Sequence, residues 1–467
     1  MQNTSSFISR FFKESGALLR LSIPIIMMQL ATQSMSFVDT TMAGRVSAED
    51  LAAIALGTSL WVPASLLLRG IIMALTPVVA FHRGAQALDK IRIAFIQMLW
   101  LSVLVSALIS GYLLQGEAIL LGLGVAPEII PIASDYVTAL AVGVPGIAFF
   151  YTLNGFCEGM NNTRAPMLIS VIGLLVNIPV NYILIYGKFG MPALGAVGCG
   201  WATSFVYWLM SALLLSYIKS HHHYKTILHF KALKPIWQEV KQLLKLGLPI
   251  GLNIAVCGSI FAVIALLIGR IGAENVAAAQ IALNISSMTY MIPMSLSFGI
   301  TIRVGYALGE QKKDIASHCS LVGVITAGLL SLISVGFFLL FPELIVRMYT
   351  SDPVVSTTAA SLLVLTAIYQ FSDALQTSAN GALRGYKDTK TPMILAVLAY
   401  WGLALPLGMV LGLSDEIVPA MGEKGFWFGI ITGLTVAAIA MLIRLVVVIR
   451  RYNQSAQITN SMTLAAG

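Results

Sequence analysis

Long apolar runs alternate with short polar segments along the whole chain. A helix needs about 20 mostly apolar residues to cross the hydrocarbon core of a bilayer. Twelve runs reach this length, and the Pro and Gly residues inside several of them are tolerated by helices in lipid. The predicted spans are 17–38, 51–80, 94–114, 129–155, 167–186, 197–218, 246–269, 276–307, 317–341, 357–383, 393–413 and 426–449. The pattern predicts an all-α polytopic membrane protein with twelve transmembrane helices.

Composition and charge agree with a chain that lies in a lipid bilayer. Hydrophobic residues make up 58% of the 467 residues and charged residues 10%, which is too few charges for a soluble chain of this length. The formal net charge of +8 does not indicate a nucleic-acid partner, because Lys and Arg of membrane proteins collect in cytoplasmic loops. With the N-terminus inside, twenty-two of the 28 Lys and Arg residues are cytoplasmic and five are external, and Arg69 lies within a span. This bias predicts that both termini are cytoplasmic.

One arrangement of residues occurs twice, about 225 positions apart. The recurring elements include Gly44-Arg45 with Gly269-Arg270, Asn154-Gly155 with Asn380-Gly381, and Thr163 to Met167 with Thr389 to Met393. Each half has six spans, so both copies start on the same side. They are therefore predicted to be six-helix lobes related by a pseudo-two-fold axis along the membrane normal. Duplicated membrane folds of this kind usually carry solutes through the interface between the copies.

The repeat and the polar segments together predict the domain organisation. A cytoplasmic segment at 1–16 precedes the first lobe at 17–218, and a polar linker at 219–245 leads to the second lobe at 246–449. The chain closes with a cytoplasmic tail at 450–467. Its last stretch, Asn453–Gly467, is polar and rich in small residues, which predicts the absence of regular structure.

Ionisable and amide side chains inside the first lobe form one candidate site, since charged groups in a span are costly and often functional. Asp39 lies about 22 Å beyond Pro24 along the first helix. It is either a cap near the helix end or a carboxylate that faces an internal cavity. Asn177 and Asn181 share a face of the fifth span, and Thr203 lies in the sixth. These oxygens suit a hard monovalent cation such as Na⁺, or they join neighbouring helices by hydrogen bonds.

The second lobe has its own candidate pair, and one cation remains to be explained. Tyr369 and Asp373 are four residues apart in the tenth span, on one face. The carboxylate is a candidate acceptor of a proton or cation, and the ring a candidate surface for a cationic solute. The alternative is a structural hydrogen bond within the lobe. Arg69 either pairs with a carboxylate or extends its side chain to the membrane interface.

Enzyme chemistry is not indicated by any motif. The sequence has no Walker A loop, so ATP is not predicted as the energy source. It also lacks an HExxH motif and a GxSxG context. We therefore predict that the chain is not an enzyme and uses no cofactor.

Several motifs are together specific to one family. They are Phe37 to Gly44, Leu175 to Asn181, Gly195 to Gly200, Asn284 to Gly305, Ser372-Asp373 and Gly381 to Asp388. With them the chain resembles, over nearly its whole length, the multidrug and toxic compound extrusion (MATE) transporters, specifically the bacterial NorM-type branch. The resemblance implies an antiporter of the bacterial inner membrane that expels cationic or amphipathic drugs in exchange for Na⁺ or H⁺. Rocking of one lobe on the other would expose the cargo to each side in turn, and we expect a monomer.

The resemblance also implies which residues act, and one of them departs from the family pattern. The coupling ion would bind at Asp39 with Asn177 and Asn181, and the cargo at Asp39, Tyr369 and Asp373. Many NorM-type members carry a Glu in the seventh span, where this chain has Cys257. Because a thiol is usually neutral at physiological pH, we expect the Asp39 site to carry more of the coupling. The rival function is a flippase for a lipid-linked precursor, which would need several cationic residues in its cavity; away from the ends of the predicted spans we find only Arg69.

Overall fold

Helices account for all the regular structure of the described residues. The computed structural model describes residues 2–122, 124–227, 234–414 and 419–465. Within these ranges, twelve helical segments are long and apolar enough to cross a membrane. This confirms the predicted all-α class and the twelve transmembrane helices. Residues 228–233 of the predicted linker and 466–467 of the predicted tail lie outside the described residues.

The chain forms two compact units. The N-unit comprises Ile23–Gly251, and the C-unit joins Met1–Ser22 to Leu252–Gly467. Both boundaries therefore fall within long helices, α1 (Gln2–Gly44) and α10 (Trp237–Ile268). The units are defined by packing within the fold. The lobes at 17–218 and 246–449 are defined by the sequence repeat, and they stay a prediction.

The N-unit is built on the helices that follow α1. They are α2 (Ala48–Ile72), α3 (Leu75–Gly84), α4 (Leu88–Leu113), α5 (Gly116–Gly122), α6 (Ile130–Gly159), α7 (Arg164–Tyr186), α8 (Gly195–Ser220) and α9 (His222–Ile227). The predicted second span is a pair of helices, α2 and α3, because the chain turns at Met73 and Ala74. In the interior of the unit α8 packs against both α6 and α7.

A shared carboxylate ties the starts of α2 and α8 together. Ser47 caps α2, since its hydroxyl oxygen accepts from the Asp50 backbone N–H at 2.9 Å. The Asp50 carboxylate in turn accepts from the Ala196 backbone N–H at 2.6 Å. Gly195, which precedes Ala196, has φ of +54°, and a Cβ at Gly195 would clash with the Asp50 carboxylate. Only glycine suits both the left-handed backbone and the close approach.

The C-unit continues from α10 with a further set of helices. They are α11 (Ala273–Gly309), α12 (Lys313–Leu340), α13 (Pro342–Arg347), α14 (Pro353–Gly385), α15 (Lys390–Val397), a π-helical segment (Leu398–Ala404), α16 (Leu405–Leu413) and α17 (Glu423–Ala465). The π-helical segment precedes Pro406, which cannot donate a backbone hydrogen bond. Helix α14 packs against α11, α12 and α17. Because α17 runs to Ala465, the prediction of an irregular stretch after Asn453 is wrong; extending an existing helix costs far less than starting one.

The sequence repeat is visible in the packing of each unit. In the N-unit a Cβ at Gly159 would lie 2.6 Å from Val79 Cβ. In the C-unit a Cβ at Gly385 would lie 2.7 Å from Val304 Cβ. The two pairs correspond under the same offset of about 225 positions. Lipid gives helices little hydrophobic reason to associate, so close approach at small residues supplies the van der Waals contact instead.

An ion pair holds the first part of α1 within the C-unit. Arg303 Nε donates to Glu14 Oε1 at 2.8 Å, and Arg303 Nη2 lies 2.5 Å from Glu14 Oε2. The Cys319 thiol also donates to Glu14 Oε1, at 3.0 Å. One residue further on, the hydroxyls of Ser15 and Thr326 are 2.9 Å apart. These contacts fix the N-terminal part of α1 within the C-unit.

Candidate functional site

The N-unit brings four of the predicted site residues into one hydrogen-bonded cluster. Asn177 Nδ2 and Asn181 Nδ2 donate to Asp39 Oδ1 at 3.2 and 2.5 Å. Thr203 Oγ1 donates to the other carboxylate oxygen, Asp39 Oδ2, at 2.9 Å. Asn181 Nδ2 also lies 3.0 Å from Asn177 Oδ1. The Asp39 carboxylate is therefore held by side chains of α7 and α8.

Helical spacing explains how the cluster assembles. Asn177 and Asn181 lie one turn apart on α7 and have no exposed surface. Cys199 and Thr203 are likewise one turn apart on α8, and the Cys199 thiol donates to the Asp39 backbone carbonyl at 3.4 Å. Sequence reasoning missed Cys199, although its spacing of four from Thr203 was a usable signal. Asp39 is a half-buried acid on α1, so three helices converge on it.

The arrangement of donors around Asp39 suits an ionised carboxylate. Three donated hydrogen bonds stabilise an ionised carboxylate. Across the described residues, however, the buried Asn181 Oδ1 has no hydrogen-bond partner. Buried amide oxygens are nearly always satisfied. An amide presents either N–H or O after a half-turn of its terminal torsion, so the same residue can donate to Asp39 or supply a ligand to a cation beside it.

The second candidate site lies in the C-unit and is less tightly bonded. Asp373 Oδ1 accepts from Thr377 Oγ1 at 3.4 Å, which is long for a hydroxyl donor. The Tyr369 hydroxyl is buried and donates to Ser286 Oγ at 2.8 Å. The phenol thus bonds Ser286 of α11, and Asp373 follows one turn later on the same helix as Tyr369. The shared helix face predicted for this pair does place both side chains in one region.

Residues that sequence reasoning missed complete the surroundings of Asp373. Tyr290, Tyr400 and the Cys257 thiol lie in its neighbourhood. Tyr400 belongs to the π-helical segment, and its hydroxyl donates to Gln376 Oε1 at 2.8 Å. Nothing in the local pattern indicates this position, because the register change of the π-helical segment decides where the ring points.

Cys257 occupies a neutral, hydrogen-bonded position near Asp373. Its thiol donates to Asn253 Oδ1 at 3.5 Å, one turn earlier on α10. Asn253 Nδ2 is buried and has no hydrogen-bond partner among the described residues. The C-unit site therefore contains one acid, Asp373, together with phenols, amides and a thiol.

Arg69 lies inside the N-unit and contacts neutral groups. Its Nη2 donates to Gln29 Oε1 at 2.7 Å. The guanidinium carbon lies 5.3 Å from the centre of the Tyr151 ring, over its face. No ion pair in the described ranges involves Arg69. Of the two predicted roles, pairing with a carboxylate is thus not seen in the described part of the chain.

Comparison with known proteins places this geometry in a family. The MatE family model matches residues 24–183 and 249–410, one match in each half of the chain. The chain belongs to the MATE family. This confirms the resemblance drawn from the sequence motifs, while membership of the NorM-type branch stays a prediction. Since MATE proteins are transporters, it also confirms that the chain is not an enzyme.

Curated relatives and solved structures match this MATE chain along nearly its full length. Multidrug resistance protein MdtK of Yersinia pseudotuberculosis and that of Yersinia enterocolitica are each 44% identical over 442 residues, covering 94% of this chain and 96% of theirs. An outward-facing multidrug resistance MATE family transporter of the MOP superfamily has a TM-score of 0.85 at 21% identity, covering 94% and 97%. The eukaryotic MATE transporter AtDTX14 has a TM-score of 0.84 at 20% identity, covering 95% and 99%. The two structures share the fold with this chain.

Proposed function

We propose that this MATE transporter is a secondary active antiporter that exports cationic or amphipathic drugs in exchange for Na⁺ or H⁺. The observation that carries the proposal is the Asp39 cluster, an acid within a membrane span that four polar side chains surround. The names of the MdtK relatives support drugs as the cargo. The charge bias of the loops supports cytoplasmic termini in a bacterial inner membrane.

Competition for one negative charge links the ion to the drug. At an effective dielectric constant of 20, a monovalent cation about 4 Å from a carboxylate is stabilised by about 4 kcal/mol. Once one cation has neutralised Asp39, a second gains little of that energy. Binding of Na⁺ or H⁺ therefore releases a cationic drug, and loss of the ion on the other side restores its site. Rocking between two states that favour different occupants converts this exchange into transport.

The ligand set favours Na⁺ without excluding H⁺. A proton needs only the Asp39 carboxylate, whereas Na⁺ needs several oxygen ligands. Two such oxygens are close at hand: Thr203 Oγ1 lies 2.9 Å from Asp39 Oδ2, and Asn177 Oδ1 lies 3.0 Å from Asn181 Nδ2. Asn181 Oδ1, which is unpaired in the described part of the chain, is the first candidate ligand. These residues support a site that binds Na⁺ after reorientation of one amide.

We assign Asp373 a secondary role, chiefly in holding cargo. It has one long hydrogen bond where Asp39 has three, so its ionised form is less well supported. Tyr290, Tyr369 and Tyr400 lie near it, and the faces of tyrosine rings attract organic cations. A drug cation with an aromatic body suits this environment better than a small inorganic ion.

Transport in everted membrane vesicles tests the proposal. Vesicles from cells that overproduce the chain are loaded with a fluorescent cationic drug under an imposed Na⁺ gradient, an imposed pH gradient, or ATP alone. Uptake should follow one or both ion gradients and be unaffected by ATP. Vesicles with the Asp39→Asn variant serve as the matched control. Uptake that requires ATP, or that ignores both gradients, contradicts an antiport mechanism.

A further inference from the structure

Arg69 is a cation within a membrane span whose charge the described residues leave without a counter-ion. Arg69 lies in the last turn of α2, three residues before the end of this 25-residue helix. A guanidinium has five N–H donors, and the contacts seen are one hydrogen bond to Gln29 and a stack on Tyr151. Both partners are neutral, so they orient the group without cancelling its charge. Keeping an unpaired charge inside a membrane protein is expensive and usually reflects function.

The same region of the N-unit contains the carboxylate of Asp39. Thr203, which donates to Asp39 Oδ2, lies one turn before Tyr207 on α8, and the centre of the Tyr207 ring is 6.4 Å from that of the Tyr151 ring. The Tyr151 ring in turn lies under the Arg69 guanidinium. Tyr151 and Tyr207 thus link the surroundings of Arg69 to those of Asp39. Arg69 and Asp39 do not form an ion pair with each other among the described contacts.

We propose that Arg69 is an anion subsite, which binds the carboxylate of a zwitterionic cargo while Asp39 binds its ammonium group. A planar guanidinium held by Gln29 and Tyr151 is preorganised for a two-pronged contact with a carboxylate. The two subsites would make the N-unit selective for amphoteric organic molecules over simple cations. The inference rests on the proposed export of drugs but not on which ion is exchanged.

A matched pair of dyes separates the anion subsite from general cargo affinity. One is a zwitterionic rhodamine with a free carboxylate, and the other is its methyl ester, a plain cation with the same chromophore. Binding of each to the purified full-length chain in nanodiscs is measured by fluorescence anisotropy, for wild type, Arg69→Gln and Arg69→Lys. We expect Arg69→Gln to raise the Kd of the acid at least tenfold, which is about 1.4 kcal/mol. The Kd of the ester should change less than about twofold, and Arg69→Lys should restore part of the affinity for the acid.

A second measurement does not depend on any variant folding. Replacing sodium chloride by sodium acetate, at constant Na⁺ concentration, should weaken binding of the acid to the wild-type chain and leave binding of the ester unchanged. The proposal is overturned if wild type does not bind the acid, if Arg69→Gln weakens both dyes equally, or if acetate has no selective effect. Uptake of the ester in everted vesicles is followed in parallel. Failure of that uptake would count against the proposed antiport, whereas failure of the acid-to-ester selectivity counts against Arg69 alone.

Discussion

Replacing Asp39 by Asn removes one charge and keeps the local hydrogen bonding. The new amide oxygen can accept from Asn177 and Asn181 as Oδ1 does now, at 3.2 and 2.5 Å. The new amide N–H₂ can donate to Thr203 Oγ1, which lies 2.9 Å from Asp39 Oδ2, because a hydroxyl both donates and accepts. The variant should therefore fold, and its phenotype should report the charge.

The expected loss follows from the electrostatics of a half-buried carboxylate. Attraction of about 4 kcal/mol for a cation about 4 Å away corresponds to roughly a thousandfold in binding. Part of this is offset because a bound cation also loses hydration. We therefore expect ion-driven drug efflux by Asp39→Asn to fall at least about a hundredfold, close to the background of cells without the transporter.

Everted vesicles or reconstituted liposomes with equal amounts of protein provide the assay, under a Na⁺ gradient and under a pH gradient. Asp89→Asn is the matched control, because it makes the same chemical change at an exposed acid near the start of α4. That control should transport at the wild-type rate. The reasoning is refuted if Asp39→Asn retains wild-type efflux under both gradients, since the charge would then not couple ion to drug.

Three further changes have defined outcomes. The Cys257→Ala variant should keep most drug efflux, since a neutral thiol bonded to Asn253 adds no charge. A larger loss of efflux than in Asp39→Asn would show that the C-unit dominates coupling. Asn181→Leu should raise the Na⁺ concentration for half-maximal efflux about tenfold at fixed pH, because it removes one ligand worth about 1.4 kcal/mol. An unchanged Na⁺ titration would show that Asn181 is not part of the ion site. Gly143→Val should lower stability by about 1–3 kcal/mol through overpacking, because even a Cβ there would lie 2.8 Å from Ser204 Cα. Thermal unfolding in detergent measures this, and a wild-type midpoint would mean that α6 and α8 can move apart freely.

The sequence alone determined the architecture of this protein at the level of spans and repeats. Apolar length predicts a membrane helix because the bilayer sets a minimum of about 20 residues, and this physical constraint acts on each segment separately. The repeat was also visible in the sequence, because recurring pairs such as Asn154-Gly155 and Asn380-Gly381 can be found without knowing how the helices pack. The tail after Asn453 was misjudged because polar composition does not stop a helix that has already begun.

Only the tertiary structure decided which polar groups act together. Asn177 and Asn181 could be paired from their spacing on one helix, but nothing in the sequence showed that Thr203 donates to the second oxygen of Asp39 or that Cys199 holds its backbone. Contacts between helices depend on rotation and depth, and a change of a fraction of a turn sends a side chain elsewhere. Tyr400 illustrates this, because the π-helical segment places its hydroxyl 2.8 Å from Gln376 Oε1, on the helix that carries Asp373. The positions of the spans follow from the bilayer, which every span must cross. The geometry of the site follows from helix packing, which depends on many residues that are distant in the sequence.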